Sequence, residues 1–126
     1  AGTRALMHSS GIGKALLAQM PRRRLEALLH SAGLPKYTPK TLSTSAELYT
    51  DFADTAQRGW SYDQDERYED FSCVGAAIRN AHGDLVGGIS VSGASVRFDP
   101  LQVAVIGLKV KAAEDLVTLT LGGKVL

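Results

Sequence analysis

The hydrophobic period of the chain changes near Gly59, and this change constrains the fold more than any other feature. Before it, apolar residues recur at helical spacing, as the leucines of residues 22–32 do. After it, residues 73–78 and 85–92 form two runs of β-branched or small residues, separated by the turn-rich residues 80–84. Two such runs around a polar turn are typical of a β-hairpin. The sequence therefore predicts an α+β domain in which helices pack against an antiparallel sheet.

Local signals at their ends predict four helices. Hydroxyl or carboxylate side chains precede a helix because they accept hydrogen bonds from its first free N–H groups. Residues 34–42 contain two prolines and are expected to be an extended connection, and residues 5–8 resemble the end of a strand. The first helix, residues 11–20, is expected to begin after Ser9 or Ser10 and to end at Pro21, and the second, residues 22–32, ends before Gly33. The third is expected to begin at Thr44 with Glu47 and to end at Gly59. The last is expected to begin at Asp99, with Pro100 and Gln102 in its first turn.

Composition limits the classes of protein that this chain can represent. Its 126 residues suit one domain, and 14 Lys and Arg against 13 Asp and Glu argue against a surface that is one basic footprint for nucleic acid. No apolar run approaches the ~18 residues of a membrane-spanning helix. The single cysteine, Cys73, forms no internal disulfide and favours an intracellular, cytoplasmic protein. Because the chain begins with Ala1 and carries no secretory signal, we expect it to be part of a longer protein.

The acidic residues 63–70 do not have the pattern of a metal or catalytic site. A calcium loop would need a glycine at its sharp turn and a glutamate where Val74 stands. The histidines at positions 8, 30 and 82 share no spacing typical of metal ligands. We therefore predict a loop or a solvated sheet edge here, too polar for the core, and we expect neither a metal nor a cofactor.

The segment Gly11–Lys14 at the predicted start of a helix suggests an anion site. The phosphate-loop signature fails, because His8 stands where its first glycine belongs and Ala15 where its hydroxyl belongs. The backbone N–H groups of Ser10, Gly11 and Ile12 still provide donors for a small carboxylate at the positive end of a helix. Alternatively, the two glycines serve only close packing.

Two other features bear on function. Ser90 and Ser92 share one face of their predicted strand, where they either bind a carboxylate or face solvent, while Ile89 and Val91 take the other face. Cys73 lies in an apolar run, where a buried thiol is ordinarily unreactive, although a histidine base would make it a nucleophile.

Several segments together resemble the effector-binding domain of IclR-type bacterial transcription regulators. They occur in the order and at the spacing of that family over nearly the whole chain. Residues 68–71 depart from it, because they replace a stretch that contains glycine, and this predicts a different pocket rim. The matching segments are residues 8–18, Thr38-Pro39 with Thr41-Leu42, Arg58-Gly59-Trp60 followed by Asp63, Asp65 and Glu66 up to Cys73, and residues 89–93.

The resemblance implies a GAF-like domain that senses a small organic acid, such as a keto acid, a sugar acid or an aromatic acid. It implies no catalysis, assembly into a homodimer or tetramer, and DNA binding only through a winged helix that residues 1–126 do not contain. Family members also have several strands and a helix before the first matching segment, so we expect the sheet edge that would be exposed here to be covered by another chain or by a segment outside residues 1–126. The implied pocket comprises backbone donors of Ser10, Gly11 and Ile12 with the side chains of Asp63, Cys73, Ser90 and Ser92.

Two other functions fit the residues. The first alternative is a GAF-like sensor or dimerisation module of another signalling protein. A small enzyme that uses Cys73 is the second alternative, and selective alkylation of that thiol at neutral pH would support it.

Overall fold

The computed structural model describes residues 10–32 and 34–125, within which the chain forms four α-helices and three strands. This confirms the α+β class. The strand predicted at residues 5–8 and the helix end predicted at Gly33 lie outside the described residues. The elements are α1 (Gly11–Ala18), α2 (Arg22–Ala32), α3 (Ser45–Arg58), β1 (Ser61–Gln64), β2 (Phe71–Arg79), β3 (Leu85–Ala94), a 3-10 turn (Ser95–Arg97) and α4 (Pro100–Thr120).

Three of the four helices begin at a side chain that the sequence predicted as a cap. In each case the side-chain oxygen accepts a hydrogen bond from the backbone N–H three residues later, which satisfies one of the free donors of the first turn. Gly59 ends α3 in the left-handed conformation, with φ of +87°. The capping pairs are Ser10 with Gly13 at 3.0 Å, Thr44 with Glu47 at 3.2 Å, and Asp99 with Gln102 at 3.0 Å.

The three strands form an antiparallel sheet in the order β1-β2-β3, and the predicted hairpin joins β2 to β3. Successive side chains of β2 point to opposite faces. Cys73 and Gly75 face α1, whereas Val74 and Ala76 pack against α4. We call these two surfaces the α1 face and the α4 face of the sheet.

Two apolar clusters hold these layers together. The first joins the three N-terminal helices, and the second lies between the sheet and α4. Burial of apolar side chains is the main stabilising term for such layers. The members of the first cluster are Leu17, Leu25, Leu29, Leu48 and Phe52, and those of the second are Val74, Ala76, Phe98, Val103 and Val110.

Helix α4 is apolar on two sides. Val103, Gly107 and Val110 face the sheet, whereas Leu108 and Leu116 point outward and are each 69% exposed. A helix that is apolar all round usually has a second covered surface. Among the described residues, no helix is long and apolar enough to cross a bilayer.

Candidate functional site

Three of the predicted site residues form a row across the α1 face of the sheet. Asp63 of β1 is paired with Cys73 of β2, and Cys73 is in turn paired with Ser92 of β3. Residues paired directly across antiparallel strands project to the same side of the sheet. Three strands that are distant in sequence therefore bring a carboxylate, a thiol and a hydroxyl into one line, which we call the Asp63–Cys73–Ser92 row.

The first turn of α1 lies directly on this row. A Cβ atom on Gly11 would be 2.6 Å from Sγ of Cys73. One on Gly75, the next residue of β2 on the α1 face, would be 2.7 Å from the carbonyl carbon of Gly11 and 2.9 Å from the nitrogen of Ile12. Such approaches require glycine on both elements. The close-packing role considered for Gly11 is therefore confirmed, and it is this packing that brings the helix terminus to the row.

Two of the backbone donors predicted at the start of α1, the N–H groups of Gly11 and Ile12, have no acceptor among the described residues. Oγ of Ser10 caps the helix by accepting from Gly13, and the carbonyl oxygen of Ser10 accepts from the N–H of Lys14 at 2.9 Å. No other described residue accepts a hydrogen bond from the N–H of Gly11 or Ile12. Two donors at the positive end of α1 thus remain for a partner outside the described residues.

Ser90 and Ser92 occupy the α1 face of β3, as the alternation predicted. Ser90 is paired with Gly75, on which the start of α1 rests. A Cβ on Gly88 would be 3.0 Å from Cγ2 of Ile12, so the side chain of Ile12 lies over β3 two residues before Ser90. Both serines are exposed. The structure thus brings the predicted residues to one region of the α1 face.

The structure gives Cys73 no catalytic partner within the described residues. Its thiol is buried beneath Gly11, and its hydrogen-bond contact is a weak one to the carbonyl oxygen of Val74 at 3.9 Å. His82 lies in the exposed turn between β2 and β3, and His30 lies near the end of α2 on the surface. His8 falls outside the described residues. No group of three potential metal-binding side chains occurs in the described ranges.

The expectation that residues 63–70 are solvated is wrong for two of them. Asp63 is only 2% exposed and belongs to β1, and Glu66 is 5% exposed. Carboxylates enter a protein interior when a cation and hydrogen bonds compensate for the lost water. Here that cation is Lys14 of α1, a fully buried residue that the sequence did not link to these carboxylates.

Lys14 connects three parts of the chain through its ammonium group. Nζ lies 3.0 Å from each carboxylate oxygen of Glu66 and 2.9 Å from Oδ2 of Asp51 in α3, and it also donates to the carbonyl oxygen of Tyr62. Oδ1 of Asp63 accepts the backbone N–H of Glu66 at 2.8 Å. We call Lys14, Asp51, Asp63 and Glu66 the buried charge cluster; it adjoins the row at Asp63.

Two carboxyl groups of the buried charge cluster, those of Asp63 and Glu66, have raised pKa values. Burial raises the pKa of Asp63 from 3.8 to about 6, against the opposing effects of the Glu66 N–H and of Lys14. Burial likewise raises the pKa of Glu66 from 4.5 to about 7, although Lys14 lowers it. Both shifts have one cause, which is that a single buried lysine does not offset the desolvation of these carboxylates.

We expect the buried charge cluster to make the protein less stable as the pH rises from about 4 to about 7. Because the pKa values of Asp63 and Glu66 are raised in the folded state, the folded chain binds more protons than the unfolded chain in this range. The contribution has an upper limit of about 1.4 kcal/mol per pH unit for each group. Urea denaturation at several pH values measures it.

The control for this pH effect is the double variant Asp63→Asn, Glu66→Gln, in which neither group titrates. The difference in unfolding free energy between this variant and the wild type isolates the two carboxyl groups from other titrations. A difference that is constant with pH would contradict the raised pKa values.

The turn that follows Asp63 is fixed by hydroxyl and carboxylate contacts. Asp65 adopts a positive φ of 54°, and its Oδ1 accepts hydrogen bonds from the hydroxyls of Ser72 and Ser95. Thr38 and Thr41 donate to the backbone carbonyl oxygens of Asp65 and Glu66, respectively. The connection at residues 38–41 therefore holds the turn that places Glu66 beside Lys14.

Comparisons with known proteins give the family. Residues 1–118 match the family model described as the bacterial transcriptional regulator IclR C-terminal domain. The chain is 38% identical over 122 residues to the transcriptional repressor IclR of Escherichia coli K12. The matched region covers 97% of this chain and 44% of that protein. It is 35% identical over 116 residues to the HTH-type transcriptional regulator BhcR of Paracoccus denitrificans, covering 91% of this chain and 42% of that protein.

A solved structure agrees with the sequence comparisons. The crystal structure of Thermotoga maritima IclR superposes with a TM-score of 0.87 and 27% identity, covering 92% of this chain and 47% of that one. The chain thus spans less than half the length of the relatives that it matches. The chain belongs to the IclR family of bacterial transcriptional regulators and corresponds to their C-terminal, GAF-like effector-binding domain.

Proposed function

We propose that this domain binds a small organic acid on the α1 face of the sheet, beside the first turn of α1, and that it is the sensing part of a DNA-binding regulator. One observation carries the proposal: the N-terminal turn of α1, with two N–H groups that meet no described acceptor, rests on the Asp63–Cys73–Ser92 row. A carboxylate accepts hydrogen bonds from backbone N–H groups and from serine hydroxyls, and a helix N-terminus favours its charge.

The proposed ligands are keto acids, sugar acids and aromatic acids, and Asp63 supports a preference among them. Its Oδ1 accepts the N–H of Glu66, and the backbone N–H of Arg67 also hydrogen-bonds to this carboxylate. An ionised carboxylate oxygen accepts a hydrogen bond and donates none. In this proposal Asp63 accepts from a hydroxyl or hydrate on the bound acid and so selects hydroxylated or hydrated ligands.

The proposed signal is a change in subunit arrangement, without any chemistry on the ligand. An acid that binds one conformation more tightly shifts the population towards that conformation. In a homodimer or tetramer, this shift changes the spacing of DNA-binding regions elsewhere in the protein. The proposed place of action is the cytoplasm. The exposed apolar side of α4, with Leu108 and Leu116, supports self-association. Sedimentation velocity with and without acid tests this step.

We expect a set of carboxylic acids to raise the melting temperature of the chain, with hydroxylated or hydrated acids most effective. Ligand that binds only the folded state stabilises it by about 2.7 kcal/mol at a hundred times its dissociation constant. The probes are glyoxylate, pyruvate, gluconate and 4-hydroxybenzoate in a thermal-shift assay. Pyruvamide, which lacks the carboxylate, serves as the uncharged control ligand.

Matched variants locate the binding site. Ser92→Ala and Asp63→Asn are expected to weaken binding, and Asp63→Asn also to remove the preference for hydroxylated or hydrated acids. Thr50→Ala, on the exposed side of α3, is expected to behave as the wild type. The proposal is wrong if no acid stabilises the chain, or if the two site variants bind every acid with wild-type affinity.

A further inference from the structure

The buried charge cluster contains more carboxylates than cations. Lys14 is fully buried, and its ammonium group faces Glu66 and Asp51, while Asp63 joins the cluster through the N–H of Glu66. One positive charge is thus set against three carboxyl groups. If the proposed function is right, an acid bound at Asp63 adds a further negative charge beside this group.

We infer that Glu66 is the proton acceptor of the acid site: when an anion binds beside Asp63, Glu66 takes one proton from solvent and becomes neutral. This inference rests on the proposed function, because it requires the acid to occupy the α1 face of the sheet. Its physical basis is that two negative charges close together in a poorly solvated region repel each other strongly. The carboxylate with the highest pKa therefore binds a proton and becomes neutral. The proton forms an O–H bond on Glu66, and Lys14 keeps its contact with Asp51.

The position of Glu66 favours it over Asp63 as the acceptor. Asp63 lies in the row that the ligand would cover, whereas Glu66 lines a surface groove bounded by α3 and by residues 36–42. Protons can therefore reach Glu66 from water while the ligand is bound. Burial also raises the pKa of Glu66 to about 7, which makes its protonation accessible near neutral pH.

The surrounding groups do not replace Glu66 in this role. Asp51 retains 20% exposure of its side chain and lies on the far side of Lys14. In the turn after β1, the carboxylate of Asp65 forms an ion pair with Lys40 at 3.2 Å. The backbone N–H of Arg67 hydrogen-bonds to Asp63 and acts to lower its pKa. The remaining charged or titratable groups around the groove are Lys36, Lys40, Glu47, Arg58 and Tyr62, and Cys73 adjoins Asp63 from β2.

Calorimetry in two buffers measures the proton directly. We titrate the chain with glyoxylate, pyruvate and 4-hydroxybenzoate near pH 8 and near pH 6, each in phosphate and in a buffer of large ionisation enthalpy. The difference in heat between buffers gives the protons taken up per ligand. We expect more than half a proton near pH 8 and less near pH 6, because Glu66 is already protonated there. The dissociation constant should rise with pH, up to a limit of about tenfold per unit.

Glu66→Gln is the informative variant, because glutamine resembles the protonated glutamate. Near pH 8 it should bind the acid without the proton uptake of the wild type, a result that a purely structural role would not produce. Glu69→Gln, an exposed acid in the same turn, should keep the wild-type uptake. Carboxyl ¹³C shifts of the wild type, free and bound, report Glu66 even where the variant does not fold.

The outcomes separate this inference from the proposed function. Absence of binding by all three acids overturns the proposed function and the inference with it. Binding with equal heats in the two buffers, or proton uptake that persists in Glu66→Gln, overturns the inference alone. Uptake in the wild type that Glu66→Gln abolishes supports both.

Discussion

Replacement of Lys14 by methionine is expected to lower the free energy of unfolding by about 3–5 kcal/mol. Methionine fills similar space but leaves Glu66 without its cation and removes the partner of Asp51 from the protein interior. An unpaired buried carboxylate is far more costly than an unpaired surface one. Urea denaturation at about pH 9, well above the pKa of about 7 that Glu66 has in the wild type, measures the loss, with the slope of the transition compared between proteins.

Two further proteins make this prediction specific. Arg22→Met removes an exposed pair with Glu26 on α2, whose side chains are 67% and 56% exposed, and should cost less than about 1 kcal/mol. The triple variant Lys14→Met, Asp51→Asn, Glu66→Gln should recover much of the loss, because it neutralises the stranded carboxylates. If the Lys14→Met protein is as stable as the Arg22→Met protein, the ion pairs of Lys14 do not stabilise the fold as predicted.

Replacement of Gly75 by alanine is expected both to destabilise the fold and to abolish acid binding. The added methyl group would lie 2.7–2.9 Å from backbone atoms of Gly11 and Ile12, which have no side-chain rotamer to move away. Overpacking of this kind costs about 1–3 kcal/mol. The strain is relieved when α1 lifts from the sheet, and this displaces the N–H groups of Gly11 and Ile12, which have no acceptor among the described residues, from the Asp63–Cys73–Ser92 row. Denaturation and the thermal-shift assay read the two effects separately.

Gly87→Ala is the matched control for Gly75→Ala. Gly87 lies in β3, where a Cβ atom would meet no described atom beyond its chain neighbours within 4 Å, and its backbone does not have a positive φ. Alanine at such a position is expected to be neutral or to stabilise by about 0.4–1 kcal/mol through the unfolded chain. If both variants have wild-type stability and bind the acid equally, the contact between α1 and the sheet does not govern the site.

The sequence predicted features whose causes are local. The caps at Ser10, Thr44 and Asp99 depend on residues within one helical turn, and the structure contains all three. The shared face of Ser90 and Ser92 follows from the geometry of a single strand. Such features need no knowledge of how distant segments pack, and for that reason they could be predicted.

Features that depend on distant partners could not be predicted in the same way. Lys14 and Glu66 are separated by 52 positions, and composition alone places a lysine and an acidic stretch at the surface. A signal for Lys14 existed, because it stands among the small and apolar residues of α1, but it does not identify the partner. Likewise, an apolar pattern on every side of α4 does not reveal that Leu108 points outward and Val110 inward.

The contact between Gly11 and Gly75 has a mechanical consequence. Peptide groups meet there directly, with no flexible side chain between them to absorb a displacement. One helical turn further on, the ammonium group of Lys14 ties the same helix to Asp51 of α3. A shift of α1 on the sheet would therefore also displace the cation that Asp51 of α3 binds, so the positions of the two helices are linked.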